Sequence, residues 1–227
     1  TLALSSDGTA VYAWGYNEHG QLGNGSSDYN PHSTPVRVLK GAQSESTTYL
    51  GDAGGGSRII AIAAGAEHSL ALTSDGTAVY AWGYNGYGQL GNGSSDTNPH
   101  ATPVRVLKGA QSGATYLGDA GGGSKIIAIA AGQDHSLALT SDGTAVYAWG
   151  RNDYGQLGNG STTQSTTPVR VLKGAQSEST TYLGDFGGNS KIIAIAAGAE
   201  HSLALTSDGT AVYAWGMNEN GQLGNGS

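Results

Sequence analysis

Four tryptophans, at positions 14, 82, 149 and 215, divide this chain into steps of 68, 67 and 66 residues. Every strong motif keeps the same step. SDGTAVYAWG begins at Ser6, Ser74, Ser141 and Ser207, and GQLGNGS at Gly20, Gly88, Gly155 and Gly221. TPVRVLKGAQS begins at Thr34, Thr102 and Thr167, and HSLAL at His68, His135 and His201. A fixed period of this length is the mark of a repeat architecture, in which one supersecondary unit is stacked on copies of itself. The 227 residues hold about three and a half copies.

Each unit reads as four short strands. Residues 59–64 (IIAIAA) form an Ile-rich apolar run of the kind buried on both faces. Residues 70–73 (LALT) and 78–82 (AVYAW) flank Ser74-Asp75-Gly76, and Asp-Gly between two apolar runs is a strong hairpin signal. Residues 104–107 (VRVL) follow Pro103, a residue tolerated where a strand begins. Among 227 residues, 39 are Gly and 5 Pro, and only 12% are charged, which excludes a fold of long amphipathic helices. The expected fold is all-β, built of four-stranded antiparallel β-propeller blades.

GQLGNGS, PVRVL, IIAIAAG, HSLALTSDGT and YAWG together resemble the repeat of the regulator-of-chromosome-condensation family, in its bacterial type, over essentially the whole chain. The resemblance implies part of a seven-bladed propeller. It also implies a range of roles in the family, from nucleotide exchange on a small GTPase at chromatin to inhibition of a β-lactamase through one propeller face. Fold likeness alone carries none of these over.

The strand count divides the chain into a partial blade at residues 1–39, blades at 58–107 and 125–172, and a partial blade at 191–227. Gly/Ser/Thr-rich segments join them at 40–57, 108–124 and 173–190. The first copy lacks its opening strand and the last lacks its closing one. Two expectations follow: a piece of a longer repeat chain, or a chain that self-associates through its terminal strands, as in a structural surface assembly.

Comparison of the copies separates frame from variation. After each Trp-Gly pair stand Tyr16, Glu18 and His19, then Tyr84, Gly86 and Tyr87, then Arg151, Asp153 and Tyr154, then Met217, Glu219 and Asn220. Before each repeated His stand Ala66-Glu67, Gln133-Asp134 and Ala199-Glu200. A third variable cluster follows GNGS at residues 27–33, 95–101 and 162–166, expected as loop. In an up-and-down blade all three clusters fall at one end. Ala53 and Ala120 against Phe186 add some variation at the other end. Aromatic, Arg and Met residues are enriched in interface cores. The expected binding residues are therefore Tyr16, Glu18, His19, Glu67, Tyr84, Tyr87, Asp134, Arg151, Asp153, Tyr154, Met217 and Glu219. The expected partner is another protein or a glycan.

Other chemistry is weakly signalled. The recurring His68, His135 and His201 read as structural, because positions that repeat with the unit serve the unit. Residues 118–125 (GDAGGGSK) lack the Gly-Lys-Ser/Thr order of a phosphate loop. Asp52, Asp119 and Asp185 have no calcium-loop spacing, and the Asp of each Ser-Asp-Gly is a turn cap. Asn24, Asn92, Asn159 and Asn225 precede Gly-Ser, which fits a turn better than a glycan acceptor. No lone residue breaks the repeat as an active site would, so no enzyme, cofactor or metal site is expected. The net charge of −7 argues against nucleic acid, and no apolar stretch reaches membrane-spanning length. Low charge and the absence of Cys suit a secreted or cell-surface bacterial protein, and an N-terminus opening Thr1-Leu2-Ala3 reads as processed or truncated.

Overall fold

The computed structural model describes residues 1–43, 48–52, 57–112, 115–119, 124–174, 181–185 and 190–226. Ala53, Ala120 and Phe186 lie outside them, as does the centre of each Gly-rich segment. The described residues form fourteen strands in four antiparallel sheets, each a simple meander. The first sheet is β1 (Leu2–Leu4), β2 (Val11–Asn17) and β3 (Asp28–Arg37). The second is β4 (Ile59–Ala64), β5 (His68–Thr73), β6 (Val79–Asn85) and β7 (Asp96–Arg105). The third is β8 (Ile126–Ala131), β9 (His135–Thr140), β10 (Val146–Gly150) and β11 (Ser165–Arg170), and the fourth is β12 (Ile192–Ala197), β13 (His201–Thr206) and β14 (Val212–Gly216).

The Asp-Gly hairpin forms as its residues dictate. Gly76 takes φ +69°, a conformation L side chains disfavour, and its N–H donates to Thr73 O at 3.0 Å. Asp75 Oδ1 accepts from Thr73 Oγ1 at 2.7 Å and from Thr77 N at 3.0 Å. Burial alone would raise this carboxyl, but those bonds and one from Ser57 outweigh it and hold the pKa at about 2. The turn also seats the next sheet, because Ile126 N donates to Gly76 O at 2.9 Å.

The fourth strand differs from expectation. VRVL contributes only its first half, while the segment expected as a variable loop is itself ladder. β7 begins at Asp96, pairing Asn85 with Asp96 and Gly83 with His100 across register shifts. His100 Nε2 lies 3.2 Å from Asp96 Oδ1, and His32 Nε2 lies 2.9 Å from Asp28 Oδ2 in β3. That carboxylate–imidazole pair straps the strand start. The strand is the outermost of its sheet, so Pro99 and Pro103 remove no needed donor. The third copy has no such pair in residues 162–166, and β11 starts only at Ser165.

Apolar cores lie between successive sheets. Leu70, Leu72 and Val79 of the second sheet pack with Ala138, Tyr147 and Trp149 of the third. Trp82 and Trp149 are fully buried, filling these seams as large aromatics do. Each seam is latched by polar groups that converge on one carbonyl. Gln89 O accepts from Trp149 Nε1 at 2.9 Å and from Ser136 Oγ at 3.0 Å. With its proton so committed, Ser136 Oγ accepts from His68 Nε2 at 3.0 Å. The next seam repeats this: Gln156 O takes Trp215 Nε1 and Ser202 Oγ, each at 2.9 Å, and His135 Nε2 meets Ser202 Oγ at 2.9 Å. The repeated His is thus structural, but it ties its own sheet to the next rather than merely fixing its own turn. Burial, with repulsion from His135, pushes His68 down to about 3, and burial with repulsion from His201 pushes His135 down to about 4. Both are therefore neutral at physiological pH.

Candidate functional site

The same glutamines that latch the seams hold the variable loops. His19 N, Tyr87 N and Tyr154 N each donate at 3.0 Å to the Oε1 of Gln21, Gln89 and Gln156. A buried Asn anchors each loop from behind. Asn85 Oδ1 accepts from Leu90 N at 3.1 Å, and Asn85 Nδ2 donates to Ser94 O at 3.0 Å. Asn17, Asn85 and Asn152 are all fully buried. The residue after Trp-Gly is fixed across the hairpin mouth in three copies. Tyr84 N, Arg151 N and Met217 N donate to Glu67 O, Asp134 O and Glu200 O at 2.8, 2.9 and 2.9 Å. At these positions the backbone bonds repeat from copy to copy while the side chains change.

Seven of the twelve expected residues come together, in a belt that crosses the seams between sheets. His19 stacks on Tyr84 with ring centroids 4.6 Å apart, and its Nε2 lies 3.4 Å from Glu67. Tyr84 meets Tyr87 edge-on at 6.2 Å. The Arg151 guanidinium sits 5.0 Å above the Tyr87 ring, a cation–π contact. It also pairs with Asp153 at 2.7 Å and Asp134 at 3.6 Å. Glu200 completes the belt, 3.3 Å from Arg151. It was not among the expected residues, although its register with Glu67 and Asp134 was visible in the repeat. Tyr16, Glu18, Tyr154, Met217 and Glu219 share this end of the sheets but make no side-chain hydrogen bond or ion pair among the described residues. Tyr16 and Tyr154 are 46% and 40% exposed.

The electrostatics are one-sided. Eight carboxylates sit at this end of the strands with a single Arg, Arg151. The opposite end carries the other nine Lys and Arg residues against seven described carboxylates. Burial pushes Asp134 up from the ordinary carboxylate range despite the nearby Arg151, and Glu67 and Glu200 add to the push. Burial likewise raises Tyr84, with Tyr87, Asp134 and Glu67 contributing. Arg151 is the counter-ion that keeps this acidic belt tolerable. Among the described residues no group of three or more His, Asp or Glu side chains is placed to hold a metal ion.

A family profile described as RCC1-like domain matches residues 1–227. The ultraviolet-B receptor UVR8 of Arabidopsis thaliana is 30% identical over all of this chain and 53% of its own length. The probable E3 ubiquitin-protein ligase HERC4 of Homo sapiens is 34% identical, over all of this chain and 17% of its own. The chain thus spans about half, or far less, of the curated relatives it matches. Human WBSCR16 superposes with a TM-score of 0.73 at 28% identity, covering all of this chain and 47% of that one. Prp20p of Saccharomyces cerevisiae, studied for its binding to Gsp1p and histones, gives 0.70 at 26% identity over 45% of its chain. These relatives are eukaryotic, so the expected bacterial type draws no support from them.

Proposed function

Because this chain belongs to the RCC1-like domain family, we propose that it is a non-catalytic docking module whose loop end, at the mouths of the first and third hairpins of the four-stranded sheets and the matching hairpins of the three-stranded ones, receives another protein. The observation that carries this reading is the belt from His19 to Glu200. An invariant frame of Gln, Asn and backbone bonds holds side chains that differ from copy to copy in one continuous surface. Tyr and Arg are the residues that dominate binding energy where they are anchored. That Prp20p has binding properties toward Gsp1p and histones supports this class of activity.

The test compares proteins captured by the wild-type chain and by a variant with Tyr84, Tyr87, Arg151 and Tyr154 all changed to Ala, its folding checked by circular dichroism. The reading expects one or more partners lost on the variant and kept on a control altered in the exposed turn residue Ser74 at the opposite end. A capture profile identical for all three proteins overturns it.

A further inference from the structure

We propose that Tyr154 is the seat for an arginine side chain of a basic partner segment, in the way that Tyr87 seats Arg151 within the chain. This rests on the docking reading above and adds the chemistry of the partner. Each seam at the loop end repeats one arrangement: a residue hung on Gln Oε1 from one sheet, then a carboxylate and a post-Trp-Gly residue from the next. At the second seam these are Tyr87, Asp134 and Arg151, and the guanidinium lies 5.0 Å over the ring. At the third seam the positions are held by Tyr154, Glu200 and Met217. The backbone bonds match within 0.1 Å, at 3.0 Å for both tyrosines and 2.9 Å for both post-Trp-Gly residues. The ring and the acid are there, but the base is not.

Three further observations point the same way. Tyr154 is 40% exposed, and Asp153 beside it has 56% of its side chain in solvent. Gln156 Oε1 accepts from Tyr154 N, as Gln89 Oε1 accepts from Tyr87 N, so both rings hang on the same buried support. Gln89 Nε2 donates to Asp134 Oδ1 at 3.3 Å, whereas Glu200, the counterpart of Asp134, is drawn 3.3 Å from Arg151. A basic peptide supplies the missing part, a cation for the ring. The eight carboxylates of this end attract a basic segment and repel an acidic one. Arginine fits better than lysine, because a planar, weakly hydrated guanidinium stacks on an aromatic face. Met217, unbranched and polarizable, adapts to the side chain beside it.

Isothermal titration of the full 227-residue chain with hexa-arginine, hexa-lysine and hexa-glutamate peptides at 150 mM salt tests this. Hexa-arginine is expected to bind saturably, hexa-lysine more weakly, and hexa-glutamate not at all. Tyr154→Leu removes the ring from an exposed position and is expected to weaken hexa-arginine about fivefold. Tyr12→Leu, a ring 38% exposed in β2 toward the opposite end of the sheets, leaves it unchanged. No saturable binding of hexa-arginine, or equal binding by the Tyr154→Leu chain, overturns the proposal, as does an equal loss from Tyr12→Leu, which marks diffuse charge attraction. If the peptides fail while the four-fold Ala variant still loses a captured partner, the docking reading survives and the arginine seat falls.

Discussion

Acid should loosen the seams between sheets before it affects the sheets themselves. His68 and His135 are 1% and 0% exposed, and each donates from Nε2 to a serine on the next sheet. Their pKa values lie at about 3 and about 4, against 6.5 in an unfolded chain. A depressed imidazole pKa means that the unfolded state takes up the proton first. The stability associated with each neutral ring is therefore complete above about pH 6.5 and lost as pH falls toward the folded value. At pH 5 the gap from 6.5 is about 1.5 units, which at 1.36 kcal/mol per unit gives roughly 2 kcal/mol per ring and roughly 4 for the pair. That is a large share of a domain's usual 5–15 kcal/mol or so. The assay is urea unfolding at pH 7 and pH 5, for wild type and for the His68→Gln/His135→Gln chain. Glutamine donates toward serine but does not titrate. The variant is expected to be less stable at pH 7 through lost packing, and to lose about 4 kcal/mol less than wild type between the two pH values. Equal losses would refute the assignment of these rings as the acid-sensitive latch.

Two further substitutions probe the same seams. Gly132→Ala would place a Cβ 2.2 Å from His135 Cε1 and 2.6 Å from Gly198 O, so a chain with only a methyl added should unfold at lower urea, by about 1–3 kcal/mol. Trp149→Phe removes the indole donor to Gln89 O and leaves a partial void in a fully buried seam, with an expected cost of about 1–3 kcal/mol by the same measurement.

The strands and their turns were legible because they are local. An apolar run of six and an Asp-Gly between two such runs state their own conformation, and the period repeats the statement in every copy. The extended fourth strand was hidden because its signal, Asp96 with His100, works through a side-chain hydrogen bond and an edge position that composition does not announce. The variable side chains of the loop end could be found by comparing copies, but not which of them touch. Glu200 belongs to the site through Arg151, 49 residues earlier in the chain, and His68 bonds Ser136, 68 residues later. Periodicity marks which residues repeat. It does not say that a repeated residue reaches into the next copy, and here the contacts that join the sheets do. The contrast between an acidic loop end and a far end that holds nearly all the Lys and Arg likewise needed the strand directions before the charges could be assigned to ends.

A photo-crosslinking residue placed at Glu219, exposed on the loop end, and separately at Ser74, in an exposed turn at the other end, tests which end of the sheets is the docking face. A discrete protein adduct is expected from position 219, competed by free hexa-arginine, and none from position 74. Adducts from position 74 alone, or the same adducts from both, would show that the loop end is not the docking face.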